Sequence, residues 1–200
     1  MTFETKLYEV VKSAISKEMC IHLDLEFELM KKLSYLHAGK NEGQEPYAFA
    51  DTQIAKSFAY YSALPFEALS LQLQPLIETV TGKQLYPTYT YARIYLNGAE
   101  MKEHTDRPSC EYSITLNISN DPEPWEIWFE DLDKNRFPIN LEPGDLIVYK
   151  GDVLSHWRLP YDGKRQTQAF LHYVNKNGNY RDYKYDRRPY IGLGANTRKA

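Results

Sequence analysis

Thr88 to Ser119 read TYTYARIYLNGAEMKEHTDRPSCEYSITLNIS. Both ends of this run are rich in β-branched and aromatic residues, which suit half-buried pleated backbone. Between them lie the turn signal Asn97-Gly98 and the triplet His104-Thr105-Asp106. On extended backbone, side chains at i and i+2 point the same way, so one imidazole and one carboxylate can grip a single ion. His-x-Asp recurs often by chance. Its meaning depends on what the rest of the chain brings to it.

Downstream, short β-type segments continue at roughly ten-residue spacing, a pattern that predicts a sandwich or jelly roll. The sequence places strands near 88–96, 110–119, 125–130, 136–141, 145–150, 154–159 and 165–174, broken at Asn120-Asp121-Pro122, Asp133-Lys134-Asn135, Glu142-Pro143-Gly144-Asp145 and Tyr161-Asp162-Gly163-Lys164. Upstream the pattern turns helical. Leu7, Val10, Val11, Ala14 and Ile15 recur at helical spacing, a second segment runs through Leu23 to Met30, and a third spans about 66–81. Residues after about 175 are polar and contain glycine, which predicts a surface-hugging or partly mobile tail. The expected fold class is mostly β (α+β), with N-terminal helices packed on one sheet. The expected organisation is a single domain over 1–200, with helical support over 1–86, a jelly-roll core over 87–175 and a tail over 176–200.

Bulk properties narrow the function classes. The 200 residues are 42% hydrophobic, enough for a proper core, and carry a net charge of −3. That balance argues against nucleic-acid and membrane-surface binding, which favour a basic excess. The first twenty residues carry acids and have no unbroken apolar stretch, so they do not predict a secretory signal, and no run in the sequence approaches the roughly 18 apolar residues of a spanning helix. Cys20 and Cys110 are too few for a disulfide scaffold and read as reduced thiols in a cytoplasmic protein. His22 and His37 sit in helical segments without spaced partners and read as structural.

His156 gives His-x-Asp its context. It opens a predicted strand, and Arg165 follows nine residues later across an Asp-Gly turn. Two histidines and one carboxylate suit non-haem iron(II) and leave three coordination positions open. A 2-oxo acid can take two of these and O₂ the third. Its far carboxylate then needs a cation, and arginine pairs bidentately with carboxylates without losing its charge. On a 161–164 hairpin, Arg165 would lie on the order of 13 Å along the backbone from His156, a span that its side chain and a five-carbon diacid can fill. Parity puts Arg165, Thr167, Ala169, Leu171 and Tyr173 on one face of the last strand, and Gln166, Gln168, Phe170 and His172 on the other. That excludes His172 as a ligand if Arg165 faces the pocket. Glu103 likewise points away from His104. Tyr95, in line with Tyr89, Tyr91 and Arg93, and Thr167 can each donate to the same carboxylate.

Taken together, Tyr95-x-x-Gly98-x5-His104-x-Asp106, Gly144-Asp145 and His156-x3-Pro160-x4-Arg165 resemble the prolyl 4-hydroxylase-like branch of the 2-oxoglutarate/iron(II) dioxygenases. The resemblance covers roughly residues 86–175. It implies a double-stranded β-helix, with His104, Asp106 and His156 as metal ligands and Tyr95 and Arg165 binding 2-oxoglutarate. It also implies Fe(II), 2-oxoglutarate and O₂ as requirements, and hydroxylation of a peptide, protein or small-molecule substrate, a prolyl residue first among them. Lysine stands in place of the arginine in collagen-type members, which makes Lys164 the rival to Arg165. Arg93, Arg107 and Trp128 are carried as substrate contacts, with surface charge or rim packing as their plain alternative. The competing classes are a metal-stabilised jelly-roll module without turnover and a cupin-like isomerase or hydrolase.

Overall fold

From Leu85 onward the chain builds strands close to those expected. The computed structural model describes residues 2–39, 48–49, 54–122 and 124–199. In chain order the elements are α1 (Phe3–Lys6), β1 (Tyr8–Val11), α2 (Lys17–His37), β2 (Ala48–Phe49), β3 (Ser57–Tyr61), α3 (Leu64–Thr81), β4 (Leu85–Leu96), β5 (Met101–His104), β6 (Tyr112–Asp121), β7 (Ile127–Glu130), β8 (Arg136–Ile139), β9 (Leu146–Tyr149), β10 (Ser155–Arg158) and β11 (Arg165–Asn175). A seven-stranded sheet in the order β1-β9-β6-β11-β4-β3-β2 faces a four-stranded sheet in the order β5-β10-β7-β8. From β4 to β11 the chain passes back and forth between the sheets, save for the β7–β8 hairpin within the small sheet, as in a double-stranded β-helix.

The N-terminal third departs from its helical reading. Tyr8–Val11 is a strand, antiparallel to β9, with Val10 opposite Ile147 and Val11 opposite Leu146. Leu7, in the left-handed region at φ 62°, ends the preceding turn of helix. Two adjacent β-branched residues gain more from that sheet edge than from a helix that would restrict their χ1. The helical pattern resumes later and runs further than expected, as α2. Ser16 caps it, its hydroxyl accepting from Met19 N at 3.2 Å. β3 and β5 also lie outside the predicted strands, and β3 extends the large sheet beyond β4.

Three layers result. Phe27 of α2 and Phe66, Leu73 and Ile77 of α3 pack on Ile94, Leu116 and Leu171 of the large sheet. Burying each such side chain contributes about 1.5–3 kcal/mol. The opposite face of that sheet meets the small sheet through Tyr95, Ile127, Phe129, Ile147, Tyr149 and Leu154. The tail after β11 is anchored rather than loose: Arg188, buried, donates to Thr88 O at 2.9 Å and pairs with Glu67 at 3.5 Å. Among the described residues no helix is long and apolar enough to cross a membrane.

Candidate active site

β5 and β10 are neighbours, and His104 stands directly opposite His156 across their ladder. Their ring centroids are 4.5 Å apart. Asp106 follows just beyond the end of β5, where its backbone N–H donates to Gly151 O at 2.7 Å. Each imidazole Nε2 lies 3.7 Å from Asp106 Oδ1. With bonds of about 2.1 Å, adjacent ligands on an octahedron lie about 3 Å apart, so small side-chain adjustments bring all three onto one ion.

Hydrogen bonding decides which ring nitrogens are available. His104 Nδ1 lies 2.7 Å from Lys102 O, and His156 Nδ1 lies 3.0 Å from Leu154 O. A carbonyl only accepts, so each Nδ1 carries the proton and each Nε2 keeps its lone pair for a metal. Burial also pulls the His156 pKa down, against the opposing pull of Asp106, which keeps the ring neutral. Asp106 Oδ2 accepts from Ser113 Oγ at 2.7 Å, and Ser113 Oγ lies 3.0 Å from His172 Nδ1. A single hydroxyl proton satisfies both contacts when His172 donates to Ser113 and Ser113 donates to Asp106. Gly151 is required here, since a Cβ would sit 2.4 Å from Asp106 Oδ2.

The three side chains open onto a cavity of about 630 Å³. Tyr89, Tyr91, Arg93 and Tyr95 of β4 form one wall, Phe170 and His172 of β11 continue it, and Ala195 and Arg198 of the tail reach the rim. The rim is tied by Asp186, only 2% exposed. Arg107 clamps its carboxylate through Nη1 at 2.9 Å and Nη2 at 3.0 Å, Tyr61 OH donates at 2.7 Å, and Arg198 Nε at 2.9 Å. A second convergence, of Asp106, Cys110 and His172, lies beside the first. Burial pushes the Cys110 thiol up to about 12, so without a cation beside it the thiol stays protonated.

Arg165 and Thr167 do not face this cavity. Arg165 reaches across to α2, with Nη2 2.7 Å and Nη1 2.9 Å from the two Asp24 oxygens and Nε 2.8 Å from Glu28 Oε1. Thr167 Oγ1 donates to Asp24 Oδ1 at 2.7 Å. Burial raises Asp24, but the hydrogen bonds from Arg165 and Thr167 outweigh it and hold the carboxyl below its ordinary value. The parity split of β11 is as expected, but the pocket lies on its other side. Tyr95 stands opposite Gln166 and Arg93 opposite Gln168, and residues directly opposite share a face. Gln166, Gln168, Phe170 and His172 therefore look inward, while Ala169 and Leu171 lie under the helices with Arg165. The signal was in the strand itself, whose aliphatic face suits helix packing and whose amide and imidazole face suits a polar pocket.

Of the other expected contacts, Tyr95 and Arg93 line the cavity and Arg107 sits at its rim. Arg93 Nη1 donates to Ser57 Oγ at 2.9 Å. Trp128 stands on the outer side of the small sheet, stacked 6.1 Å from Trp157, because the residues flanking it, Ile127 and Phe129, fill the interior. It lines a separate depression. One inward cation escaped the sequence reading. Arg158 lies two residues beyond His156 on β10 and shares its face, a placement that parity alone gives. It is 1% exposed, lies over the Trp125 ring at 4.9 Å and donates through Nη1 to Trp125 O, while its Nε has no partner.

Solved structures of similar fold include a 2OG-Fe(II) oxygenase family member from Burkholderia pseudomallei, at a TM-score of 0.61 and 11% identity over 88% of this chain and 87% of that one. A prolyl-4-hydroxylase from Pseudomonas putida superposes with a TM-score of 0.64 at 14% identity, over 86% of this chain and 95% of that one. HygX from Streptomyces hygroscopicus, with nickel, 2-oxoglutarate and hygromycin B bound, gives 0.65 at 11% identity, over 88% and 85%. The α-ketoglutarate-dependent epimerase SnoN of nogalamycin biosynthesis gives 0.64 at 10% identity, over 86% and 78%. At such identities the likeness is one of fold. No protein-family model and no curated protein matches the chain.

Proposed function

We propose that this chain, as a single domain, is an iron(II)- and 2-oxoglutarate-dependent oxygenase that hydroxylates an unactivated C–H bond. The observation that carries the reading is the convergence of two Nε2 atoms and one carboxylate oxygen at the wall of an open cavity. That donor set fits iron(II): two neutral imidazoles and one carboxylate on one side of an ion leave the opposite side free. Iron(II), bound with 2-oxoglutarate and O₂, supplies the oxidising chemistry, and the protein supplies position and exclusion of water.

The chain's own contribution follows from its contacts. The Lys102 and Leu154 carbonyls fix the two ring tautomers. Ser113, backed by His172, holds Asp106 Oδ2 and so aims Oδ1 at the site. Such outer partners commonly change metal affinity or activity about 10- to 100-fold. The tyrosine-lined wall presents an apolar body with polar tips to a substrate, and the Asp186 knot closes its outer edge.

A prolyl residue in a peptide or protein is the first substrate reading, supported by the motif resemblance and by a prolyl hydroxylase of similar fold. A small metabolite is the second, favoured by a cavity of about 630 Å³, within the usual range for small-molecule pockets. The test is to incubate the iron-loaded protein with labelled 2-oxoglutarate and follow succinate. Wild type should release it even without a prime substrate, and Asp106→Ala should reduce release at least about 100-fold. Undiminished release in that variant would end the reading. Intact-mass scans of proline-containing peptides against small-molecule pools then separate the two substrate classes by a gain of one oxygen.

A further inference from the structure

Arg158 has the marks of a cation waiting for an anion. It is 1% exposed and lies on the same side of β10 as His156, inside the sandwich rather than on its surface. A guanidinium offers five N–H donors. Here one nitrogen serves the Trp125 carbonyl, and Nε is buried with no hydrogen-bond partner. Among the described residues no carboxylate forms an ion pair with it. Two neutral phenols, Tyr95 and Tyr149, bear on its charge, and both line the cavity beside the metal-binding triad. Proteins rarely retain an unpaired buried charge, because desolvation without a partner is costly.

The placement also suits a chelating diacid. Two residues along a strand carry the chain on the order of 7 Å from His156. A 2-oxo acid gripping the metal at one end would extend its second carboxylate in that direction. Arg165, the cation that sequence spacing favours for this task, is committed to Asp24 and Glu28 on the far side of the large sheet. At the inward positions of β11 that follow it stand the neutral amides of Gln166 and Gln168. Gln166 Oε1 accepts from Trp125 N at 2.9 Å, which ties that amide to the residue on which Arg158 lies.

We propose that Arg158 binds the second carboxylate of the 2-oxo diacid, so that the anchoring cation comes from the strand that carries His156 and not from the last strand. The proposal rests on the oxygenase reading above. It makes β10 a two-ended clamp, with metal at one inward residue and co-substrate anion at the next. Tyr95 and Tyr149 flank the bound carboxylate and Trp125 backs the guanidinium.

The test is anaerobic calorimetric titration of the manganese-loaded protein with 2-oxoglutarate and with 2-oxopentanoate, which has the same carbon count but lacks the second carboxylate. Wild type should prefer the diacid by about 10- to 100-fold, the range expected for a charge-assisted pair. Arg158→Gln should bind the two compounds about equally while keeping its manganese affinity. Arg165→Gln should retain the wild-type preference. If Arg158→Gln does not fold, Arg158→Lys serves in its place, with a reduced preference expected because a point charge replaces the planar fork. A full preference surviving in Arg158→Gln or Arg158→Lys, or a preference lost in Arg165→Gln, overturns the assignment while leaving the oxygenase reading intact. Wild type that binds neither 2-oxo acid overturns both.

Discussion

Arg158 and Arg165 stand on consecutive strands, and their surroundings are opposite. Arg165 lies between the large sheet and α2, partly open to water, with Asp24 and Glu28 both within hydrogen-bond distance. Arg158 is sealed between the two sheets, with a backbone carbonyl and aromatic rings for company. The first pairing is complete and fastens a helix to a sheet. The second is incomplete, and incompleteness in a buried polar group points to something that binds there. A cation's role is thus read better from the partners it lacks than from its distance along the chain to a metal ligand.

The contrast is most exposed to disproof at Arg165. Replacing it with Met strands two carboxylates against the sheet and should cost about 1–3 kcal/mol in urea unfolding, with 2-oxoglutarate binding unchanged. A stable variant that no longer binds the co-substrate would reverse the roles of the two arginines. Acid should erase part of the same contribution. Asp24 has a lowered pKa in the folded chain, so the unfolded chain binds more protons as pH falls, and stability present above about pH 4 is lost below it. The stability gap between wild type and Arg165→Met should therefore narrow on acidification. A constant gap from pH 7 to pH 3 would show that packing, not charge, holds α2 here. Arg158→Met should shift ligand-free stability by less than about 1 kcal/mol, because losing the bond to the Trp125 carbonyl is offset by removing an unpaired buried charge. A large loss would mean that Arg158 is structural. Smallest of all, Trp128→Ala should leave succinate release within about two-fold of wild type, as expected for a side chain on the outer surface.

Local signals carried much of this molecule. Seven of the β-segments show as β-branched and aromatic runs between turn residues, and each is a strand within a few residues. The convergence of His104, Asp106 and His156 was legible because i and i+2 on extended backbone is a local rule, and because His156 begins a well-marked strand. The face of β11 was not. Choosing it requires knowing which side α2 and α3 cover, and the distance estimate from His156 to Arg165 fits either side equally well. Arg158 was overlooked although the same parity rule points it inward, since a charged residue between Trp157 and Leu159 reads as a surface position until its neighbours are in place. Tyr8–Val11 was misread because four residues cannot show their own periodicity, and the apolar spacing around them happened to match a helix.

β5 is four residues long and forms one border of the small sheet, with β10 as its sole ladder partner among the described residues. Short border strands are where a fold frays first. An ion held jointly by His104 on that border and His156 on the next strand would work as a clasp, fastening the border strand to its neighbour. Loading and fastening would then be one event, and the exchange lifetimes of the amide hydrogens from Met101 to His104 would serve as a gauge of occupancy.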